Sequence, residues 1–513
     1  MAYESDEDSI LQKCVTEARQ GIFQVLATIL IFLCSAITGM MVTADSLTTA
    51  DIPFYCSNSN DSFDALQLSQ KYDEYLCFTP NTTQWCDGTY VFVPQDTGMH
   101  STLISTFELV CERRFYKSLI RSVKMVGMVL GIATLGRASD KFGRKPILIF
   151  SLCVLATCTF INSFAPNMYV FIVVKFILSL FLITCYLSSF IIIAEFTQKK
   201  HRLILCIWLE SLFGIGTLLL GYPIGYFIRD WRNVLRITSL IVFLIIPPFF
   251  WVPESTTWLI ANGYNERALK EFKRIASWNG GSISQETERE LLEFKQKGES
   301  NSDISRFLKN RIFMTFIAIQ IYLWVTVNLN FYGLTFAAGD STQMSLFANL
   351  AVSGFMETPG VILCFFLLYI GRRQAMIVTL IGAACVCMLS SFFSGTWNLI
   401  LIQIGKMFSS GSFIGVYVYS SELNPTLVRS TFMGLCSCLA RFGGVIAPFI
   451  GQIGEAYWPP LTLVIFSLVG FLGALLTMFL PETLGKNLPN NYEDFVLSIQ
   501  ERKPIEKKKV NYS

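Results

Sequence analysis

Long apolar runs, each near the length that crosses a bilayer, recur along this chain between shorter polar stretches. A membrane-spanning helix needs roughly 20 mostly apolar residues, because every backbone N–H and C=O must be satisfied inside the segment. On that basis the pattern predicts spans over 22–43, 119–136, 147–165, 168–194, 203–228, 233–252, 312–337, 343–370, 375–396, 398–419, 430–453 and 458–480. The expected fold class is an all-α membrane protein with twelve transmembrane helices. Two polar stretches are long, 44–118 and 253–311, and the second divides the spans six and six. The expected organisation is a terminal segment 1–21, a six-helix bundle 22–252 that includes 44–118, a central loop 253–311, a second six-helix bundle 312–480 and a tail 481–513. In the central loop, the stretch from Glu266 to Lys295 has the pattern of amphipathic surface helices. Six plus six spans about a charged loop is the organisation of transporters built from repeated halves.

Composition strengthens this reading. Hydrophobic residues make up 52 % of the chain and charged residues 15 %, against about 25 % charged in soluble domains. So few charges cannot coat a soluble multidomain enzyme, and so much apolar surface excludes a disordered chain. The net charge of +3 gives no electrostatic case for a nucleic-acid partner.

Placement of the charges says more than their sum. With the N-terminus inside, 28 of the 40 Lys and Arg residues fall in inside segments and 6 in outside ones, the bias expected of cytoplasmic loops. Both termini are then cytoplasmic, and 44–118 is a large extracellular loop in a multi-pass plasma-membrane protein. The first span is not expected to be a cleaved signal, since the acidic segment Glu4-Ser5-Asp6-Glu7-Asp8 precedes it. The 44–118 loop holds Cys56, Cys77, Cys86 and Cys111, and two sequons at Asn60 and Asn81. On an oxidising face these suggest a glycoprotein with two disulfides, for which three connectivities are open.

Several motifs carry a family resemblance. After the second span comes Gly136-Arg137-Ala138-Ser139-Asp140-Lys141-Phe142-Gly143-Arg144-Lys145, and after the eighth a degenerate copy, Gly371-Arg372-Arg373. Pro253-Glu254-Ser255-Thr256-Thr257-Trp258-Leu259, Ser421-Glu422-Leu423-Asn424-Pro425 and Pro481-Glu482-Thr483-Leu484-Gly485 follow spans 6, 10 and 12. Together with the cysteine-rich loop running into Cys111-Glu112-Arg113-Arg114, these resemble the organic ion transporter branch of the major facilitator superfamily. That branch contains organic cation, organic anion and carnitine-type carriers. The resemblance spans about residues 20–495. It implies the major facilitator fold and alternating-access transport of small organic ions. The chain departs from the family at Thr257, where Arg is usual, and at Ser179, where a fourth-span motif has Gly.

Ionisable groups in hydrocarbon cost at least about 2.5–3.5 kcal/mol each, so they face a cavity or a partner. Arg441 in span 11 offers a fork suited to a carboxylate or sulfate. Glu357 in span 8 offers a counter-charge for an ammonium. The two together would suit a zwitterion; the alternative is that they pair with each other. Lys124 and Glu210 are further candidates, as a second ion pair, a proton-coupling site or cavity lining, with Lys124 also able to snorkel. Tyr186, Phe190, Phe331, Tyr332 and Tyr417 match or neighbour the family's cavity positions and could hold a cation through ring faces, worth roughly 0.5–2 kcal/mol each. The resemblance places Lys175, Glu195, Lys406, Glu422 and Arg429 near helix ends, as conformational-switch or packing pairs rather than substrate contacts, and assigns Gly136, Asp140, Lys141, Gly143, Arg144 and Arg372 to the conformational switch.

With His100 and His201 as the two histidines, a paired-histidine metal motif is absent, as is a phosphate-cradling loop for ATP. No metal or cofactor and no enzymatic activity are expected. Gly127/Gly131 and Gly221/Gly225 have the spacing of close helix contacts, read as packing within the bundle. The expected partners are a small organic ion, the bilayer, and sodium or a proton as coupling ion. Two rivals stand beside this: a sugar porter, which would show amide clusters in spans 5, 7 and 10, and a non-transporting receptor using 44–118. Such clusters are not expected here, and a pure anchor needs no charges within its spans.

Overall fold

A computed structural model describes residues 6–19, 21–57, 77, 89–93, 98–196, 212–294, 307–340, 344–425 and 428–485. Helix α1 (Asp6–Glu17) precedes α2 (Ile22–Thr48), and a two-stranded antiparallel ribbon, β1 (Phe54–Ser57) with β2 (Thr89–Phe92), follows. After a single turn, α3 (Leu103–Thr106), come α4 (Phe115–Phe142), α5 (Arg144–Asn162) and α6 (Met168–Phe196). Next are α7 (Leu212–Ile228) and α8 (Trp231–Phe249). Three short helices, α9 (Thr256–Ala261), α10 (Asn265–Asn279) and α11 (Gln285–Glu293), form the central segment. The second half holds α12 (Arg311–Gly339), α13 (Leu346–Ile370), α14 (Arg372–Ser390), α15 (Thr396–Leu423), α16 (Arg429–Tyr457) and α17 (Leu461–Thr477).

Ten of these helices, among the described residues, are long and apolar enough to cross a membrane; α7 and α17 are shorter apolar helices. Local chemistry places their ends. Asp230, Ser345 and Asn310 cap α8, α13 and α12 by accepting from backbone N–H groups of the first turn. Gly143, at φ +107°, breaks the chain sharply between α4 and α5, a conformation that other residues rarely adopt. The second predicted span ends at Gly136, but the helix runs on: Gly136 lies inside α4. Pro223 cannot donate its backbone nitrogen, and α7 widens into a π-helical turn around it, Leu220–Ile224.

Small residues set the close contacts. A Cβ on Gly127 would lie 2.7 Å from the Ser179 side chain, and Gly131 sits directly on the α6 backbone at Leu180. The expected use of that pair in packing within the bundle is thus borne out. Between the halves, α4 runs along α16 and the π-turn of α7 lies against α13. Gly214 of α7 and Gly354 of α13 meet backbone to backbone.

The expected surface helices after span 6 are present as α9–α11. The sequence assigns no element to the terminal segment 1–21, where α1 is a helix that docks on them. Cys14 of α1 and Ala18 just after it are buried in a cluster with Phe272, Ile275 and Leu291. Asn279 of α10 joins the start of α2, accepting from the Phe23 N–H and donating to the Arg19 carbonyl.

Candidate functional site

Four sets of charged groups lie inside or at the ends of the bundle. The first joins α2, α4 and α6. Asp45 accepts from Lys124 at 2.7 Å and Lys175 at 2.6 Å, one base on each carboxylate oxygen. Both lysines are only 4 % exposed along their side chains. Lys124 is therefore paired rather than snorkelling, and Lys175, expected near a helix end, lies within α6 as one partner of an ion pair. Each is buried in its helix and held by an acid that the sequence reading placed in the 44–118 loop.

The second set joins α13 and α15. Lys406 donates to Glu357 at 2.9 Å and to the Ser353 hydroxyl at 2.5 Å, and its ammonium lies 5.7 Å from the centre of the Phe331 ring. Lys406, expected near a helix end, is fully buried well inside α15. Glu357 and Arg441 do not pair with each other. Glu357 is already neutralised, so it is not a free counter-charge for an ammonium.

Arg441 makes the third set, between α16 and α12. It is 3 % exposed, and its guanidinium donates to neutral partners, the Asn328 amide oxygen at 3.3 Å and the Tyr332 hydroxyl at 3.1 Å. Its Nε has no partner, and it makes no ion pair among the described residues. Beside it stands a ring cluster. Phe331 packs on Tyr332 at 5.3 Å, on Phe413 at 5.1 Å and, across the halves, on Phe213 at 6.3 Å. Tyr417 continues it against Phe413 and Trp324. Tyr186 is buried in α6. The side chains of Phe190 and Glu195, and the whole of Glu210, lie outside the described residues.

The fourth set seals one end of the seam, the end marked by Asp340. Arg121 of α4 binds Asp340, the residue that follows α12, bidentately at 2.7 and 2.9 Å. Lys117 joins Asp340 to Asp51, and Arg114 reaches Glu455 of α16 at 2.6 Å. Ser118 and Ser122 donate across to the Pro448 and Val445 carbonyls. Several of the same groups line a cleft of about 510 Å³, with Lys117, Arg121, Asp340, Asn398, Gln452 and Glu455 among its walls.

At the opposite end, each half is tied within itself. Glu254 accepts from the N–H groups of Arg144 and Lys145, and Glu482 accepts in the same way from those of Arg372 and Arg373. Arg144 pairs with Asp140, whose carbonyl accepts from the Trp258 indole. Arg372 binds both oxygens of Glu422. Lys141 lies over the Phe142 ring, and Arg429 donates to the Asn424 carbonyl. The degenerate second copy of the motif thus repeats the first in three dimensions. Burial pushes the Glu254 carboxyl above the ordinary glutamate range despite its backbone donors. Glu482 is less buried, and its four N–H donors hold it below that range.

Sequence reasoning missed Asp45, Asp340, Lys117, Arg121 and Asn328. The first four lie at the edges of apolar runs, where they read as loop or anchor charges. It also undercounted amides. Gln320, Asn328 and Asn330 of α12 and Gln403 of α15 are buried. Gln320 is bonded to Asn424, Gln403 to Asn349 and Asn328 to Arg441. Of the loop cysteines, Cys77 and Cys111 are bonded to each other, with Cα atoms 5.6 Å apart. The Cys56 side chain, Cys86, Asn60 and Asn81 lie outside the described residues.

Two bundles of apolar helices, an interior of paired charges and motifs repeated between the halves define a carrier architecture. Residues 38–495 match the model of the family described as "Sugar (and other) transporter". The chain is 30 % identical over 407 residues to solute carrier family 22 member 6-A of Xenopus laevis, covering 77 % of this chain and 72 % of that protein. Against mouse solute carrier family 22 member 3 it is 31 % identical over 414 residues, 80 % and 74 % of the two chains. Human organic cation/carnitine transporter 2 is 29 % identical over 407 residues, 77 % and 72 %. In fold it is similar to the inward-open xylose transporter XylE of E. coli, with a TM-score of 0.62 at 17 % identity, covering 93 % and 98 %. The chain belongs to the sugar (and other) transporter family of the major facilitator superfamily and, within it, to solute carrier family 22. It is a membrane transporter, not an enzyme.

Proposed function

We propose that this carrier moves small organic ions bearing a carboxylate or sulfate across the plasma membrane, with Arg441 as the group that receives the anionic end. The observation that carries this is a buried guanidinium with only neutral partners and one N–H left over. Leaving a buried charge uncompensated is costly, and a ligand carboxylate removes that cost through bidentate charge-assisted hydrogen bonds. The ring cluster of Phe331, Tyr332, Phe413 and Tyr417 lies on the same side and supports a second reading, a zwitterion whose ammonium rests on ring faces. The ammonium end is then held by rings rather than by Glu357, which Lys406 occupies. Names of relatives agree with both readings, since one is an organic cation/carnitine transporter.

The proposal extends to topology and cycle. Twelve spans, with α7 and α17 completing the ten long ones, form two six-helix bundles, 22–252 and 312–480. Both termini and the central loop are cytoplasmic. The segment 44–118 is extracellular, glycosylated at Asn60 and Asn81, with Cys56 and Cys86 as its second bridge. The Asp340 end is then the outer face, so this conformation is sealed outside. Rocking of the halves breaks the Arg121–Asp340 latch while the clamps at Glu254 and Glu482 keep each half rigid. Sodium or a proton serves as coupling ion.

Uptake of labelled cations, anions and zwitterions into cells lacking their own carriers tests this. Arg441→Ala is expected to lower uptake of carboxylated tracers roughly tenfold or more, the loss implied by a hydrogen bond to a charged group, with surface expression unchanged. Arg441→Lys is expected to restore little, since an ammonium lacks the fork. Full uptake by Arg441→Ala would remove the anionic-end assignment. A loss confined to ammonium-bearing tracers without a carboxylate would do the same.

A further inference from the structure

The docking of α1 on α11 is centred on one carboxylate. Glu17, on the last turn of α1, accepts from the Ser284 N–H at 2.8 Å, the Ser284 hydroxyl at 3.0 Å and the Thr287 hydroxyl at 2.7 Å. Ser284 is also the N-cap of α11, its oxygen accepting from the Thr287 N–H. So the acid of one helix occupies donors at the positive end of another. Around this point α1 is held by Lys13–Glu290 at 2.8 Å, which is exposed, and by burial of Cys14 and Ala18. A twelve-residue helix is marginal alone in water, so α1 depends on this contact.

Ser284 itself is exposed, and Glu286, Glu288 and Glu290 follow it within two turns. We propose that Ser284 is a phosphorylation site and that its phosphate ejects α1 from the central helices. The step is group transfer from ATP by an acid-directed serine/threonine kinase. The Ser284 Oγ–phosphorus bond forms, the bridging bond between the β- and γ-phosphates breaks, ADP leaves, and the hydroxyl proton goes to the base of the kinase. The product removes one donor to Glu17. It also places about two negative charges at the N-terminus of α11, where they take the Thr287 N–H and hydroxyl for themselves. Glu17 is then a like charge within hydrogen-bond distance of the phosphate, with its donors gone. In the unmodified chain burial opposes the charge on Glu17, but its Ser284 and Thr287 donors hold its carboxyl below the ordinary glutamate range, so the phosphate arrives beside an ionised group. Release frees the Arg19 carbonyl from Asn279, and with it the entry to α2.

The inference rests on the cytoplasmic placement of the central helices, and the test separates the two. The full chain, tagged at its N-terminus and reconstituted in nanodiscs, is treated with ATP and casein kinase 2. Phosphate on Ser284 is read by mass spectrometry, and trypsin cleavage after Lys13 or Arg19 by release of the tag. Phosphorylated protein is expected to be cut roughly tenfold faster, the ratio for one lost hydrogen bond to a charged group. Ser284→Ala loses the same hydroxyl donor and sets the baseline for that loss; kinase is expected to leave its rate unchanged. In Glu17→Gln, whose neutral amide has no charge for the phosphate to repel, phosphorylation is expected to add little. Absence of phosphate on Ser284 both after kinase treatment and in protein from growing cells overturns the proposal. Equal cutting of phosphorylated and unmodified protein overturns it too. Tag release by trypsin outside intact cells would instead reverse the topology.

Discussion

Each half of the carrier buries one lysine in its fourth helix, Lys175 in α6 and Lys406 in α15, and the two are treated differently. Lys406 has an acid, Glu357, and a hydroxyl, Ser353, to itself. Lys175 shares its acid, Asp45, with a second buried base, Lys124. The fourth-helix lysine is matched one to one in the second half and shares its acid in the first. Setting aside the seal at Asp340, the interior among the described residues holds four bases, Lys124, Lys175, Lys406 and Arg441, against two acids, Asp45 and Glu357. Each half thus carries one surplus base but places it differently, beside the shared Asp45 in the first half and alone at Arg441 in the second. An interior with surplus positive charge fits an anionic end on the cargo better than a second ammonium.

The largest effect is expected from Asp45→Asn, which strands two buried ammoniums. Removing one partner of a buried pair typically costs about 3–5 kcal/mol, so little monodisperse protein should survive size-exclusion chromatography in detergent. Glu357→Gln strands a single lysine that keeps Ser353 and the Phe331 ring, and should lose clearly less. Equal loss in the two variants would erase the distinction between the halves. Next, Lys124→Met leaves Asp45 and Lys175 as a simple pair like that of the second half. It should be tolerated better than Lys175→Met, as judged by melting temperature. A smaller, local effect is expected at the seal: Asp340→Asn should speed labelling of a cysteine placed at Gly451 by an impermeant thiol reagent added outside, by several fold. Unchanged labelling would mean that Arg121–Asp340 is not the latch.

The smallest effect separates the twin clamps. Glu482 is held below the ordinary glutamate range, so its contribution is present above that range and is lost as pH falls through its own lower value. Glu254 is raised, so its contribution is greatest at low pH and declines as pH rises through its value. The melting-temperature difference between wild type and Glu482→Gln should therefore shrink on acidification, while that for Glu254→Gln should not shrink in parallel.

Much of this architecture was legible in the sequence because lipid imposes a simple rule, long apolar runs, and because the motifs at Gly143 and Gly371 repeat. Arg441 stood out for the same reason: a charge deep in an apolar run has few explanations. What failed was pairing. Nothing local tells Glu357 that Lys406, some fifty residues on, is nearer than Arg441. Asp45 and Asp340 were hidden because the apolar runs fade before the helices end. A charge there reads as loop although the helix carries it on into the bundle. Helix α1 was missed since its apolar face is short and needs α10 and α11 to cover it.

The Asp340 seal has two unlike faces. On one stand Arg114, Lys117 and Arg121, with Asp51 beside them; on the other, Asp340 and Glu455. Parting the halves there resembles pulling apart the plates of a charged capacitor. The work rises with separation and falls as mobile ions fill the gap, over a Debye length of about 8 Å at physiological ionic strength. The dwell time of the closed mouth is thus set partly by the salt outside it. Once open, the mouth holds a field directed from the first half to the second, which turns any dipolar solute with its negative end toward α4 before it reaches the interior.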